Sequence, residues 1–82
     1  MRLNVARAAK DELLIGFGTD APADCFANLS PSGDLTEAAA QLFAVLHAAD
    51  TAAQKSQCGL AVMPIPMHGL GEAINDRLTR AA

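Results

Sequence analysis

The sequence predicts an α/β fold: a small open sheet, mixed or mostly parallel, of three to four strands with two main helices. Three observations lead there. The apolar runs Leu13–Phe17 and Gly59–Met63 are short and bounded by glycine or proline, the mark of buried strands. Between them Leu35, Ala38, Ala39, Leu42, Val45, Leu46 and Ala49 recur at helical spacing, a stripe that must be covered. A second helical pattern then closes the chain.

Arg2 to Ala6 alternates polar and apolar residues and reads as a short edge strand, with Ala8 to Asp11 as a connector. The Leu13–Phe17 strand is ended by Gly18 and Asp20. "GTDAPAD" is loop chemistry, and Cys25–Leu29 reads as another short strand. The connections on either side of Leu13–Phe17 are too short for a helical crossover, and a parallel neighbour needs a dozen or more residues. The first strands are therefore expected to meander antiparallel or not to sit side by side.

In "SPSGDLTEAAAQLF", Pro31 and Gly33 make a turn. Asp34 is placed to cap the following helix, and Glu37 stands three residues on, the spacing of a capping box. Phe43 widens the buried stripe, and the helix is expected to fade near Ala53. Lys55-Ser56-Gln57 is a polar connector. Gly59–Met63 follows, ended by Pro64 and Pro66. A strand–helix–strand unit crosses over with one hand, so the strands flanking Asp34–Ala53 should be parallel. The final helix starts near Gly69 to Glu72, with Leu70, Ala73, Ile74, Arg77, Leu78 and Ala81 on one side. Arg77 and Arg80 suit the negative end of its dipole.

With 82 residues, 51% hydrophobic and 18% charged, this is a single domain with enough apolar content for a core. The net charge is −3 and the six Lys and Arg residues are scattered. A basic stripe or an aromatic stacking platform is missing, so direct nucleic-acid binding is not expected. No signal-peptide pattern appears, and no apolar stretch approaches the ~20 residues of a membrane helix. Cys25 and Cys58 could form one disulfide, but no dense framework appears, and the favoured reading is two reduced, largely buried thiols of a cytoplasmic protein. No repeat or low-complexity tract interrupts the chain.

The pair Gly69 and Gly71 before a helix raises the question of a phosphate loop. A dinucleotide loop needs a third glycine, where Ile74 stands, and a later strand with an acidic residue. A helix-start anion site remains the alternative reading there, and at Ser30, Ser32 and Gly33. The structural reading is a tight turn at the first and a cap at the second, since Asp34 brings a negative charge. No cysteine or histidine pair, His47 and His68 included, has a familiar metal spacing, so no metal site is expected. Cys25 with a histidine lacks an orienting third group, and no catalytic residue is assigned. Asn75-Asp76-Arg77 is a compact polar cluster on the last helix, readable as a solvated face or a local salt bridge.

"LSPSGDLTEAAAQLFAVLHAAD" and "AVMPIPMHGLGEAINDRLTRAA" closely resemble the C-terminal domain of two-domain threonylcarbamoyl-AMP synthases, with "LLIGFG" matching more loosely. The resemblance covers most of Asn28 to Ala82. It implies a Rossmann-like α/β domain that assists or regulates, and an enzyme that makes threonylcarbamoyl-adenylate from threonine, bicarbonate and ATP for the t6A modification of tRNA. It further implies that ATP and substrates bind a separate N-terminal, YrdC-like catalytic domain, joined by a linker that this chain would follow. The whole of 1–82 is then one accessory domain without a cofactor of its own. Its partner is that catalytic domain, with His68, Asn75, Asp76 and Arg77 as docking candidates. Self-association through an uncovered face is a further expectation. A small nucleotide- or anion-binding module is the alternative function.

Overall fold

The computed structural model describes residues 1–81. Three strands form one parallel sheet: β1 (Glu12–Gly16), β2 (Ala27–Asn28) and β3 (Gly59–Val62), in the order β2-β1-β3. Helix α1 (Leu35–Ser56) joins β2 to β3, and α2 (Leu70–Ala81) follows β3. The α/β class, the two helices and the parallel relation across α1 hold as the sequence predicts.

Side chains alternate across the pleat, so neighbouring residues of one strand serve opposite faces. Ile15 and Val62 face the helices and join Ala38, Leu42, Ala49, Ile74 and Leu78 in the main core. Leu14 and Ala61 face the other way, with Met63 beside them. Loops cover that second face, through Val5, Ala8, Ala21 and Cys25. Both faces being covered explains why the strands read as near-continuous apolar runs.

The expected antiparallel or separated first strands are corrected. β2 lies beside β1 and parallel to it, pairing Ile15 with Ala27 and Gly16 with Asn28. No helix is needed, because β2 meets only the carboxyl end of β1. The chain has to return only about 10 Å, three residues of strand rise. Two tight turns do this: Ala21 N donates to Gly18 O at 3.4 Å and Cys25 N to Pro22 O at 3.1 Å, with Gly18 at φ +82°.

The Arg2–Ala6 strand shrinks to a single parallel bridge, Arg2 with Ala61. Asn4 sits in the left-handed region at φ +59° and bends the chain away, although Val5 N still reaches Val62 O at 3.1 Å. Instead, a side-chain clamp holds this segment. Arg2 Nε and Nη2 donate to both carboxylate oxygens of Glu12, at 2.8 and 2.5 Å, and Ala9 N donates to the same carboxylate at 2.8 Å.

The guanidinium and the Ala9 amide favour the charged form and hold the Glu12 carboxyl down at about 2, against an ordinary 4.5. A depressed folded-state value stabilises the fold above pH 4.5 and loses that contribution as pH falls toward 2. We expect the Glu12 carboxyl resonance to titrate near 2. We also expect hydrogen-exchange protection of the Val62 amide, bonded to Arg2 O at 2.9 Å, to decline over the same interval. A Glu12 midpoint at 4.5 would mean that the clamp is open in solution.

α1 runs to Ser56, one turn past Ala53, because Gln54, Lys55 and Ser56 tolerate the helix until Gln57 takes a left-handed φ of +56°. The Gln57 amide caps the Ala53 and Gln54 carbonyls, the place glycine usually fills.

Candidate functional site

All strands being parallel, their carboxyl ends share one edge, and both helices start there. This is where open α/β sheets usually place ligands. The Ser30 turn and the Gly69–Gly71 turn both lie at it.

Ser30 is fully buried and serves as the hub of the first turn. Its hydroxyl accepts from Asp34 N at 2.8 Å and donates to Glu37 Oε1 at 2.6 Å, with Ser32 Oγ at 3.3 Å. Its amide donates to Asn28 Oδ1 at 3.0 Å, and its carbonyl accepts from Gly18 N and Gly33 N at 2.8 and 3.0 Å. Asn28 Nδ2 in turn reaches Gly18 O at 3.0 Å. The Asp34 carboxylate accepts Thr36 N at 2.9 Å, as a cap should.

The capping box takes a relayed form. Glu37 does not reach the Asp34 amide directly; the Ser30 hydroxyl stands between them. The amides of Gly33, Asp34 and Thr36, the donors an anion would use, are engaged within the turn. Sequence reasoning did not single out Asn28. Its signal was an Asn two residues before a serine, the spacing of a side-chain-closed turn.

At the second turn Gly69 has φ +54°, and the amides of Gly71 and Glu72 bond back to His68 O and Gly69 O at 2.9 and 3.2 Å. Gly71 is buried against Pro66. A Cβ there would fall far inside contact with the Pro66 carbonyl oxygen and 3.0 Å from its carbon. The Asn75 amide Nδ2 donates to Ile65 O and to Gly71 O, both at 2.9 Å, tying α2 to the loop after β3. Asn75→Ala is expected to cost about 1 kcal/mol, the typical worth of such bonds. A lower urea midpoint at unchanged slope would show it; an unmoved midpoint would mean that water replaces the amide.

The other docking candidates separate in space. His68 is exposed in the turn. Asp76 pairs with Arg80 at 3.0 Å on the surface of α2. Arg77 points across to α1, where its guanidinium carbon lies 5.7 Å from the Phe43 ring centre. The His47 ring stacks near-parallel to that of Phe43, their centroids 6.4 Å apart. This Phe43–His47–Arg77 group crosses between the two helices and was not foreseen.

Two expectations about the apolar stripes are corrected here. Phe43 does not widen the buried stripe; it is 69% exposed, because Leu42 and Leu46 occupy the inward side. On α2, Leu70 is 46% exposed and Ala73 and Arg77 face solvent, while Gly71, Ile74 and Leu78 are buried. Gly71 takes the inward place and lets the turn close on Pro66, which rotates Leu70 outward.

Both cysteines are free and half-buried. Among the described residues no group of three or more His, Cys, Asp or Glu is arranged to hold a metal ion, and no helix is long and apolar enough to cross a membrane. Residues 2–82 match the family described as the threonylcarbamoyl-AMP synthase C-terminal domain. No curated protein and no solved structure gives a match.

Proposed function

Because the chain belongs to the threonylcarbamoyl-AMP synthase C-terminal domain family, we propose that it is a non-catalytic accessory domain that works by docking on a YrdC-like catalytic domain in the same polypeptide. That catalytic domain binds threonine, bicarbonate and ATP and forms threonylcarbamoyl-adenylate, the precursor of t6A in tRNA, in the cytoplasm. The accessory domain carries no cofactor of its own; its contribution is to bias the position of the catalytic domain.

The observation that carries this reading is the family match, which spans residues 2–82. The use of the polar groups supports it. At the carboxyl edge, Ser30, Asn28, Asp34 and Asn75 spend their hydrogen bonds on turns and caps within the fold. Among the docking candidates, His68, Asp76 and Arg77 are exposed, and Asp76 is already paired with Arg80.

The test is ATP- and threonine-dependent adenylate formation, measured for this chain alone and for a polypeptide joining it behind a YrdC-like catalytic domain. The expected result is no turnover by the chain alone, and a change in kcat/KM when it is joined. Turnover by the chain alone would overturn the reading. Identical kinetics with and without it would remove the accessory role.

A further inference from the structure

Helix α1 has an outward face unlike that of an ordinary surface helix. A helix packed on a sheet normally presents charged and polar residues to water. Between Glu37 and Asp50, α1 contains no Asp, Glu, Lys or Arg at all. Its exposed residues in that stretch are Ala40, Gln41, Phe43, Ala44, His47 and Ala48. Small side chains let another backbone approach closely, and one large ring stands among them, 69% exposed. Arg77 of α2 borders this ring and makes no ion pair among the described residues, whereas Arg80 beside it is paired with Asp76.

Building on the accessory reading above, we propose that this α1 face, centred on Phe43 and bordered by Arg77, is the surface that meets the catalytic domain. The size of the face selects this occupant over a second copy. Ala40 to Ala48 spans about 13 Å of helix axis, and a helix is about 10 Å wide. That is a projected footprint of roughly 130 Å², well below the ~800 Å² per partner of a stable complex between separate chains. A tether changes the requirement. A partner in the same polypeptide sits at roughly millimolar effective concentration, and a small face is then sufficient.

The chemistry of the partner surface follows from the residues. It presents an apolar pocket that takes the Phe43 ring and a flat, uncharged rim against Ala40, Ala44 and Ala48. A carboxylate completes it, meeting the guanidinium of Arg77. Closing that pocket removes a phenyl ring from water, the largest single gain the face offers.

Phe43 and Met67 supply the experiment. Both are about two-thirds exposed, at 69% and 68%, on different parts of the surface, and both ring and thioether react readily with hydroxyl radicals. Oxidation rates are measured in this chain alone and in the polypeptide joining it to a YrdC-like catalytic domain. The expected result is several-fold protection of Phe43 in the joined protein, with Met67 unchanged. In the joined protein, Phe43→Ser should abolish the kinetic effect of the accessory domain while leaving its circular dichroism intact, and Arg77→Gln should weaken that effect.

Protection of Met67 but not Phe43 would overturn the proposed face and leave docking itself standing. Protection of neither, with unchanged kinetics, would bring down the accessory reading as well. Protection of Phe43 in the isolated chain on raising its concentration would assign the face to a second copy, and would overturn the proposal.

Discussion

Gly71→Ala is expected to lower the stability of this domain by about 3 kcal/mol or more, the upper range for forcing extra volume into a packed site. The obstacle is backbone, not a side chain that could swing away. The added methyl would overlap the Pro66 carbonyl, so either α2 or the loop after β3 must move. Moving α2 withdraws Ile74 and Leu78 from the core, where each is 2% exposed. For a domain of this size each kcal/mol corresponds to roughly 4–8 °C, so thermal denaturation should show a fall of well over ten degrees. Gly69→Ala is the contrast: nothing lies within 4 Å of its added methyl, and only the positive φ of +54° opposes it. That variant should lose about 1 kcal/mol. Equal losses at the two glycines would mean that the close approach to Pro66 relaxes at little cost.

Ser30→Ala should cost about 1–2 kcal/mol, since the one buried hydroxyl holds two hydrogen bonds, to the amide of exposed Asp34 and to the carboxylate of exposed Glu37. The Asp34 amide loses its acceptor and the Glu37 carboxylate loses its donor, and the vacated Ser30 position itself is closed to water. The relay also predicts coupling. In a double-mutant cycle, Ser30→Ala and Glu37→Gln should lose less together than the sum of the two, by about 1 kcal/mol. Additive losses would show that the hydroxyl and the carboxylate act independently. Asp34 needs no such relay, because its own carboxylate caps Thr36 N directly.

The large elements were legible because each has a periodic signal of its own. Leu13–Phe17, the α1 stripe and Gly59–Met63 all sit where periodicity puts them, and Asp34 caps the helix it precedes. What escaped was set by tertiary geometry. Two rungs of pairing at the end of β1 make a parallel neighbour possible without a helix, and no local pattern announces a strand of two residues. The outward turn of Phe43 and Leu70 likewise depends on which neighbour fills the inward place: Leu42 in one helix, Gly71 in the other. The candidate turns were visible as sequence, but their hydrogen-bond saturation was not. Ser30 reads as one more loop serine until its burial is known.

The position of β1 in the middle of the sheet has a consequence for how the chain comes into being. Its register partners on β3, Leu60 beside Leu13 and Val62 beside Ile15, emerge from synthesis only after the whole of α1. Until then the central strand is paired on one side by two residues, and the inward stripe of α1 has no Val62 to rest on. The decisive event is thus a late one, closing a long loop against entropy, which slows folding relative to a helical bundle of equal length. Any polypeptide released before Val62 would display an apolar strand edge to its neighbours, so the last third of this chain also protects the first from aggregation.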